Sequence, residues 1–344
     1  MERPAWSAGL RADPLPWLLD PDAPAVRHRA LADLLGRPPD DAEVREARAA
    51  AMGAPPITSI LDAQDPAGWW SAPGPGYGPK YRSTVWSVIF LEQLGADGSD
   101  PRVRRGCAYL LDHATVEGAS FGIGYGTGKP RPSYQLHCLN GNLLRAVIGL
   151  GWGDDPRVRT AIAWETAAIL GSEGHRYWKG GTPGPGFACS INEGLACGWG
   201  AAKAVLGLAR IPPADRSPEV SDALAEGVEL LLSVDPSTAM YPMGWGNTRP
   251  NGSWFKLGFP LGYVADVLQV MEAVCEVGAA GDPRLGPAVA WLLARQDTDG
   301  RFVNGYAYVS KMAANIDRQG QASRWVTLRA CRVLRAVHAA AGAA

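Results

Sequence analysis

Apolar and polar positions along the chain sort into two alternating kinds of stretch. The first kind is apolar on nearly every side and covers 24–36, 83–95, 134–150, 190–209, 260–278 and 323–340. In Val85-Trp86-Ser87-Val88-Ile89-Phe90-Leu91 there is little polar face to offer water, and a helix apolar on most sides has neighbours on most sides. The second kind covers 42–63, 101–113, 156–171, 218–233 and 283–296, the first of these a broken member. It sets arginines and acids beside an apolar stripe such as Val103, Cys107, Leu110 and Leu111, the pattern of a half-exposed helix.

The half-exposed stretches share a start signal. It reads Asp100-Pro101-Arg102-Val103, Asp155-Pro156-Arg157-Val158, Ser217-Pro218-Glu219-Val220 and Asp282-Pro283-Arg284-Leu285, at intervals of 55, 62 and 65 residues, with a looser version at Asp41-Ala42-Glu43-Val44. An Asp or Ser oxygen accepts free N–H groups of a first helical turn, and Pro in that turn has no N–H to lose. Recurrence at this spacing suits two helices and a long loop. The expectation is an all-α chain of helical hairpins whose enclosed and half-exposed helices make two concentric layers, either closed into a ring or stacked as an open superhelix. Residues 1–22 form an N-terminal extension and the repeats occupy about 23–342 of one domain, 1–344. If the ring closes, its centre is a pocket that opens where the inner helices begin.

Composition narrows the partners. Net charge is −1 and no basic stripe tracks a phosphate backbone, so nucleic acid is not expected. No apolar run is long enough for a bilayer, and Met1-Glu2-Arg3-Pro4 leads into no secretory signal, so the expected location is cytoplasmic. The six cysteines are scattered without a CxxC, as expected of reduced thiols rather than a disulfide framework. The 42 glycines and 28 prolines cluster in loops such as Ser71-Ala72-Pro73-Gly74-Pro75-Gly76 and Gly180-Gly181-Thr182-Pro183-Gly184-Pro185-Gly186.

A second recurring element closes the outer stretches: Gln64-Asp65-Pro66-Ala67-Gly68-Trp69-Trp70, Gln296-Asp297-Thr298-Asp299-Gly300-Arg301-Phe302, and a weaker form from Asp112 to Phe121. These Gln…Gly…aromatic elements resemble the QW repeats of squalene–hopene cyclases, whose fold is shared with protein prenyltransferase β subunits. Pro79-Lys80-Tyr81-Arg82-Ser83-Thr84-Val85-Trp86, the run from Cys138 to Ala146, and Ser323-Arg324-Trp325-Val326-Thr327 are similar to stand-alone prenyltransferase/squalene-oxidase-repeat proteins. The resemblance spans roughly 60–340 and implies an (α/α)6 toroid of alternating inner and outer helices, but it fixes no reaction. The departures are specific. The Asp-x-Asp-Asp motif that protonates alkenes is absent, and Asp297-Thr298-Asp299 lies in a turn. No Asp-Asp-x-x-Asp cluster is present for magnesium diphosphate, since Asp40-Asp41 and Asp154-Asp155 read as helix caps. No Asp-x-Cys is present for the zinc of a prenyltransferase.

Candidate chemistry therefore comes from the first turns of the inner helices. Asp266 is the expected proton donor, since a carboxylic acid within apolar walls has its charged form desolvated, with Glu193 or His137 as its partner. Helical spacing puts Glu193 with Cys197, Tyr263 with Asp266 and Arg82 with Trp86 on shared faces. The opposing reading is that Glu193 and Asp266 complement helix N-termini or pair with Arg82, Lys256 or Arg324. Tyr81, Arg82, Trp86, Cys138, Asn142, Cys197, Trp254, Tyr263 and Trp325 are the expected substrate contacts. Trp69, Trp70, Trp178 and Trp245 are expected in loops. No metal site is expected, because His137 and Cys138 are neighbours that point about 100° apart on a helix, and a site using one of them with Cys189 or Cys197 matches no zinc spacing.

The leading expectation is a cofactor-free terpenoid cyclase-like enzyme. It would act on an isoprenoid or similarly apolar molecule by acid-initiated cyclisation or isomerisation. A non-catalytic lipid- or peptide-binding scaffold is the alternative, zinc-dependent prenyl transfer comes after it, and a homodimer is left open.

Overall fold

The six apolar stretches form the inner layer of a closed ring. The computed structural model describes residues 3–172, 183–308 and 310–343, so Trp178 and the first part of the loop around it lie outside the described residues. The inner helices are α2 (Pro24–Asp33), α5 (Thr84–Leu94), α7 (His137–Gly149), α9 (Gly198–Leu208), α11 (Val267–Glu276) and α13 (Arg324–Ala343). The outer helices are α3 (Ala42–Met52), α4 (Ile57–Asp62), α6 (Pro101–Ala114), α8 (Pro156–Leu170), α10 (Pro218–Leu231) and α12 (Gly286–Leu293), and α1 (Leu15–Leu18) precedes them all. Packing runs α5–α7–α9–α11–α13–α2, and the last gap, from α2 back to α5, is closed where Arg29 Nη2 donates to the Glu92 carbonyl at 2.6 Å. The ring is therefore a toroid. The open stack is excluded by that contact.

The N-terminal extension completes the outer layer. The short turn Ala5–Ser7 and α1 pack on α13, and Gln296 holds the segment by donating to the Gly9 carbonyl at 3.1 Å and accepting from Arg11 N at 2.5 Å. The other recurring Gln works in the same way. Gln64 Nε2 donates to the Arg102 carbonyl at 3.0 Å, joining the end of α4 to the start of α6, and Trp70 is buried against Gly106, where an added Cβ would lie 2.6 Å from its ring. These elements are clamps between successive hairpins. Asp297 takes the N–H groups of Asp299 and Arg301 at 2.9 Å each, so Asp297-Thr298-Asp299 is a turn.

The start signals act as caps. Asp41, Asp100, Asp155, Ser217 and Asp282 each accept a backbone N–H from the turn that follows. Asp155 accepts from Arg157 N at 2.9 Å and also from the Arg157 guanidinium at 2.6 and 2.9 Å. Asp155→Ala should therefore cost about 0.5–2 kcal/mol. Chemical denaturation checks this, and an unchanged midpoint at unchanged slope would remove the cap from the account.

Two inner helices start later than their apolar patterning suggests. The stretch 190–209 is helical only from Gly198, and 260–278 only from Val267. The preceding residues are held instead by a small hairpin, β1 (Pro183–Gly184) with β2 (Ala188–Cys189), and by the loop from Lys256 to Asp266. Apolar content alone does not separate a buried loop from a buried helix, and here loop contacts win. The outer stretch 283–296 likewise opens as a 3-10 turn, Pro283–Leu285, before α12. Among the described residues no helix is long and apolar enough to cross a membrane.

Candidate functional site

The ring axis is filled by charge. A network of three ion-pair groups lies there: Arg29, Arg145 and Arg210 on Glu92, with Arg145 also near Glu276; Arg329 on Asp266 and Glu272; and Arg332 on Asp33; the cavity left among them is only about 30 Å³. Burial works against the Glu92 carboxylate, but Arg210, Arg145 and Arg29 outweigh it and hold the acid below its ordinary range. Above this plug, Lys203 of α9 donates to Gln269 Oε1 at 3.1 Å, and burial pulls its ammonium down to about 8. The expectation of a central apolar pocket is corrected here: the inner helices and the residues beside them carry charges that meet on the axis, from Asp266 before α11 to Asp33 at the end of α2.

Asp266 belongs to this network. Its oxygens accept from Gln269 N at 2.7 Å, Gly258 N at 2.9 Å, and the Arg329 guanidinium at 3.0 and 3.1 Å, and it is 2% exposed. It is the N-cap of α11 and the partner of α13, and both of its oxygens are taken by donors. That geometry fits the capping alternative and not a proton donor. Tyr263 lies before the cap, so the shared helical face of Tyr263 and Asp266 does not exist.

The cavity with convergent chemistry, about 390 Å³, sits off-axis at the mouth over α7 and α9. Two loops frame it. After β2 the chain turns through Ser190–Asn192 and returns antiparallel, with Cys189 N donating to the Leu195 carbonyl at 3.1 Å and Cys197 N to the Phe187 carbonyl at 3.0 Å. Glu193 and Gly194 both take positive φ (56° and 81°) in that turn. Asn192 then ties the turn to the facing loop, donating to the Pro242 carbonyl and accepting from Gly244 N, each at 3.0 Å. Glu193 Oε2 accepts from Trp245 N at 2.7 Å. Glu193 is thus exposed on the rim, holding the Trp245 loop, and shares no helix face with Cys197.

Aromatic rings form much of the cavity wall. Trp199 meets Tyr263 edge-on at 5.9 Å, and Tyr241 meets Trp254 at 5.4 Å. The polar ends of the second pair are satisfied away from the cavity, Tyr241 Oη on the Leu231 carbonyl at 2.7 Å and Trp254 Nε1 on the Pro236 carbonyl at 2.9 Å. Lys80 Nζ lies 4.6 Å from the Tyr263 ring centre. Three thiols, Cys138, Cys189 and Cys197, line the same space. Burial pushes the Cys138 thiol up to about 11. Cys189 moves the other way, to about 6: the Cys197 S–H donates to it, and against the cost of burial the N–H groups of Ile191 and Asn192 and the charge of His137 also favour its thiolate. Cys197, as the donor, is held well above the ordinary thiol.

His137 opens α7 as expected but faces the outer layer. Nδ1 lies 2.7 Å from Glu165 Oε1 and Nε2 lies 3.1 Å from the Gly184 carbonyl, with His137 2% and Glu165 0% exposed. With both ring nitrogens occupied, the imidazole is not free to serve Asp266 or to ligate a metal with Cys138. Among the described residues no group of three or more His, Cys, Asp or Glu is placed to hold a metal. Burial opposes the imidazolium, but Glu165 and the Gly184 carbonyl outweigh it, and the net shift is upward from 6.5. A raised folded value means that stability from this pair is complete below the ordinary value and is lost as pH rises through the folded one. The denaturation midpoint should therefore fall on going up from about pH 6.5, and His137→Gln should flatten that decline. Parallel curves for parent and variant would remove the pair as its source.

The remaining expected contacts disperse. Trp86 donates to the Tyr77 carbonyl at 2.8 Å and Tyr81 stacks on Tyr308 at 3.9 Å, both outside the cavity lining. Arg82 precedes its helix and latches the carbonyls of Ser310 and Lys311 at 2.7 and 2.8 Å. Asn142 donates to the Gly262 carbonyl at 3.0 Å, Trp325 stacks on Phe259 at 4.5 Å, and both border the charged axis. Cys138, Cys197, Trp254 and Tyr263 do share the mouth cavity. Sequence reasoning missed Trp199, Tyr241 and Glu165, and considered Cys189 only as a metal ligand. Glu165 left a readable trace, a carboxylate on the apolar stripe Val158-Ala161-Ala168-Ile169 of an outer helix. A larger hollow of about 700 Å³ lies on the outer wall between α8 and α10, lined by charged groups such as Asp154, Arg159 and Glu219 but by no thiol or aromatic ring.

Comparison with known proteins adds little about activity. No protein-family model and no curated protein matches the chain. Among solved structures, a glycosidase variant matches at 14% identity and a TM-score of 0.38, over 87% of this chain and 99% of its own. The type II terpene cyclase MstE from Scytonema matches at 16% identity and a TM-score of 0.27, over 85% of this chain and 98% of its own. A variant of that cyclase in complex with its product, merosterolic acid A, matches at 14% identity with the same TM-score of 0.27, over 85% of this chain and 97% of its own. At these scores the closed ring rests on the chain's own contacts.

Proposed function

We propose that the mouth cavity binds a small, largely apolar and unsaturated molecule of isoprenoid kind, and that the chain is a cyclase-like scaffold acting on that ligand. The observation that carries this reading is the aromatic-walled space of about 390 Å³, built by loops from separate repeats, above an axis closed to ligands by ion pairs. Its size falls in the range of small-molecule sites, and the faces of Trp199, Trp254 and Tyr263 suit an alkene or a cation derived from one. Initiation by Asp266 is not part of the proposal, because its oxygens are sealed by Arg329 and two backbone N–H groups. This sealing also favours the second reading, a scaffold that holds an apolar ligand without transforming it.

Mass spectrometry of the compound retained by the protein from a cell extract tests the reading, together with quenching of tryptophan fluorescence by farnesol. A retained isoprenoid-like molecule, and quenching that Trp254→Ala reduces, is the expected result. Absence of both would overturn it. Conversion of the retained compound on incubation separates the enzyme from the passive scaffold.

A further inference from the structure

Three cysteines from separate segments reach one cavity, and they are not equivalent. Cys138 stands in the first turn of α7, Cys189 ends β2, and Cys197 is the residue before α9. The pairing of Ala188 with Ala196 sets Cys189 and Cys197 diagonally across one antiparallel ladder, on the same face, and both line the cavity. Cys189 also stands immediately before the turn Ser190–Asn192, and hydrogen bonding from Cys197 and from the N–H groups of Ile191 and Asn192 holds its thiol below the ordinary range despite burial. Those donors favour the thiolate over the thiol, and the thiolate is the nucleophilic form. The other cysteines lack this setting. Cys107 and Cys331 are fully buried, burial pushes Cys275 up to about 12, and none of the three lines the cavity.

We propose that Cys189 is a nucleophile toward an electrophilic carbon of the ligand in the mouth cavity, the class of compound being an apolar α,β-unsaturated carbonyl. This rests on the reading of the cavity as an apolar ligand site. In the step, a sulfur lone pair of Cys189 forms a bond to the β-carbon, and the π pair of the alkene moves to the α-carbon and carbonyl oxygen. A proton from water then saturates the α-carbon, giving a thioether, so no oxidant or reductant is required. Arg249, which lines the same cavity, supplies a cation for the developing enolate oxygen. Cys197, diagonally across the ladder from the attacking sulfur, is a positioning residue. Cys138, with its thiol favoured, stays a wall.

Reduced protein treated with substoichiometric N-ethylmaleimide, itself a Michael acceptor, reads this out by peptide mass mapping. At about pH 6.5 Cys189 should carry most of the label, at least about tenfold more than any other cysteine, and its rate should level off well below the ordinary thiol range. Prior saturation with farnesol should suppress labelling at Cys189. Cys197→Ala should move the rate profile toward higher pH, and Cys197→Ser serves if the Ala variant does not fold. Labelling of Cys189 no faster than Cys138, or a rate still climbing through the ordinary thiol range, would overturn the proposal. Farnesol quenching on the same sample separates the two readings: quenching with an inert Cys189 defeats the nucleophile alone, whereas a reactive Cys189 unaffected by farnesol and without quenching defeats the ligand site.

Discussion

Arg329→Met should lower the stability of the folded chain by about 3–5 kcal/mol, the range for removing one partner of a buried ion pair. Arg329 is 3% exposed and holds two acids at once. Nε lies 3.0 and 3.1 Å from the two oxygens of Glu272 and Nη2 lies 2.7 Å from Oε2, while Nη1 and Nη2 reach Asp266 at 3.1 and 3.0 Å. Nη1 also donates to the Gly258 carbonyl at 2.6 Å. Without the guanidinium, Asp266 keeps its two backbone donors, but Glu272 loses all of its hydrogen bonds to α13. Most of the cost comes from that stranded carboxylate. Adding Glu272→Met should therefore recover much of the loss, since an apolar pair of similar volume replaces the charged one. Urea denaturation of both variants checks this. A single variant within about 1 kcal/mol of the parent would mean that the axis is wet enough to solvate Glu272.

Gly141→Ala should also destabilise, by about 1–3 kcal/mol or more, although the same change at an exposed helical site gains about 1 kcal/mol. Gly141 of α7 faces the backbone of α9. An added Cβ would lie 2.2 Å from both C and O of Lys203 and 2.3 Å from Ala204 N, and a Cβ on Gly207 would lie 2.6 Å from the Gly141 carbonyl oxygen. No rotamer relieves a clash with main chain, so the two helices must part. Because Cys138 and Trp199 sit one turn away on these same helices, parting them also widens the mouth cavity. The readout is the denaturation midpoint with farnesol quenching beside it. A raised midpoint would show that the close approach of α7 and α9 yields without cost.

The patterning of the chain already contained the ring's components. Helix starts were legible because capping is local: an Asp oxygen and the N–H groups it accepts lie within three residues, as at Asp41 and Asp155. The alternation of half-exposed and enclosed helices was legible because burial of one face imposes a period of 3.6 residues. The clamps at Gln64 and Gln296 were visible as a repeated phrase, but their targets, the Arg102 and Gly9 carbonyls, lie 38 and 287 residues away.

The site was read less well, and particular residues show why. Glu193 and Asp266 stand at the right distance before apolar runs to be acids at a pocket mouth. Whether an acid is free or sealed depends on what arrives from elsewhere in the chain, and Arg329 is 63 residues from Asp266. Cys189 carries no spacing signal, since its character comes from a turn and from a thiol across a hairpin. The loop contacts that delay α11 are equally non-local, joining Leu261 to Gln93 and Gly262 and Val264 to Tyr308.

What the sequence determined by itself is the all-α class, the alternation of the layers and most outer helix starts, because each follows from interactions a few residues long. Ring closure, the charged plug on its axis, the sealing of Asp266 and the meeting of three thiols under aromatic walls were decided only by tertiary structure. Each needs groups tens to hundreds of residues apart to desolvate one another, and the energy of a charge or a thiol is set by those neighbours rather than by its place in the chain.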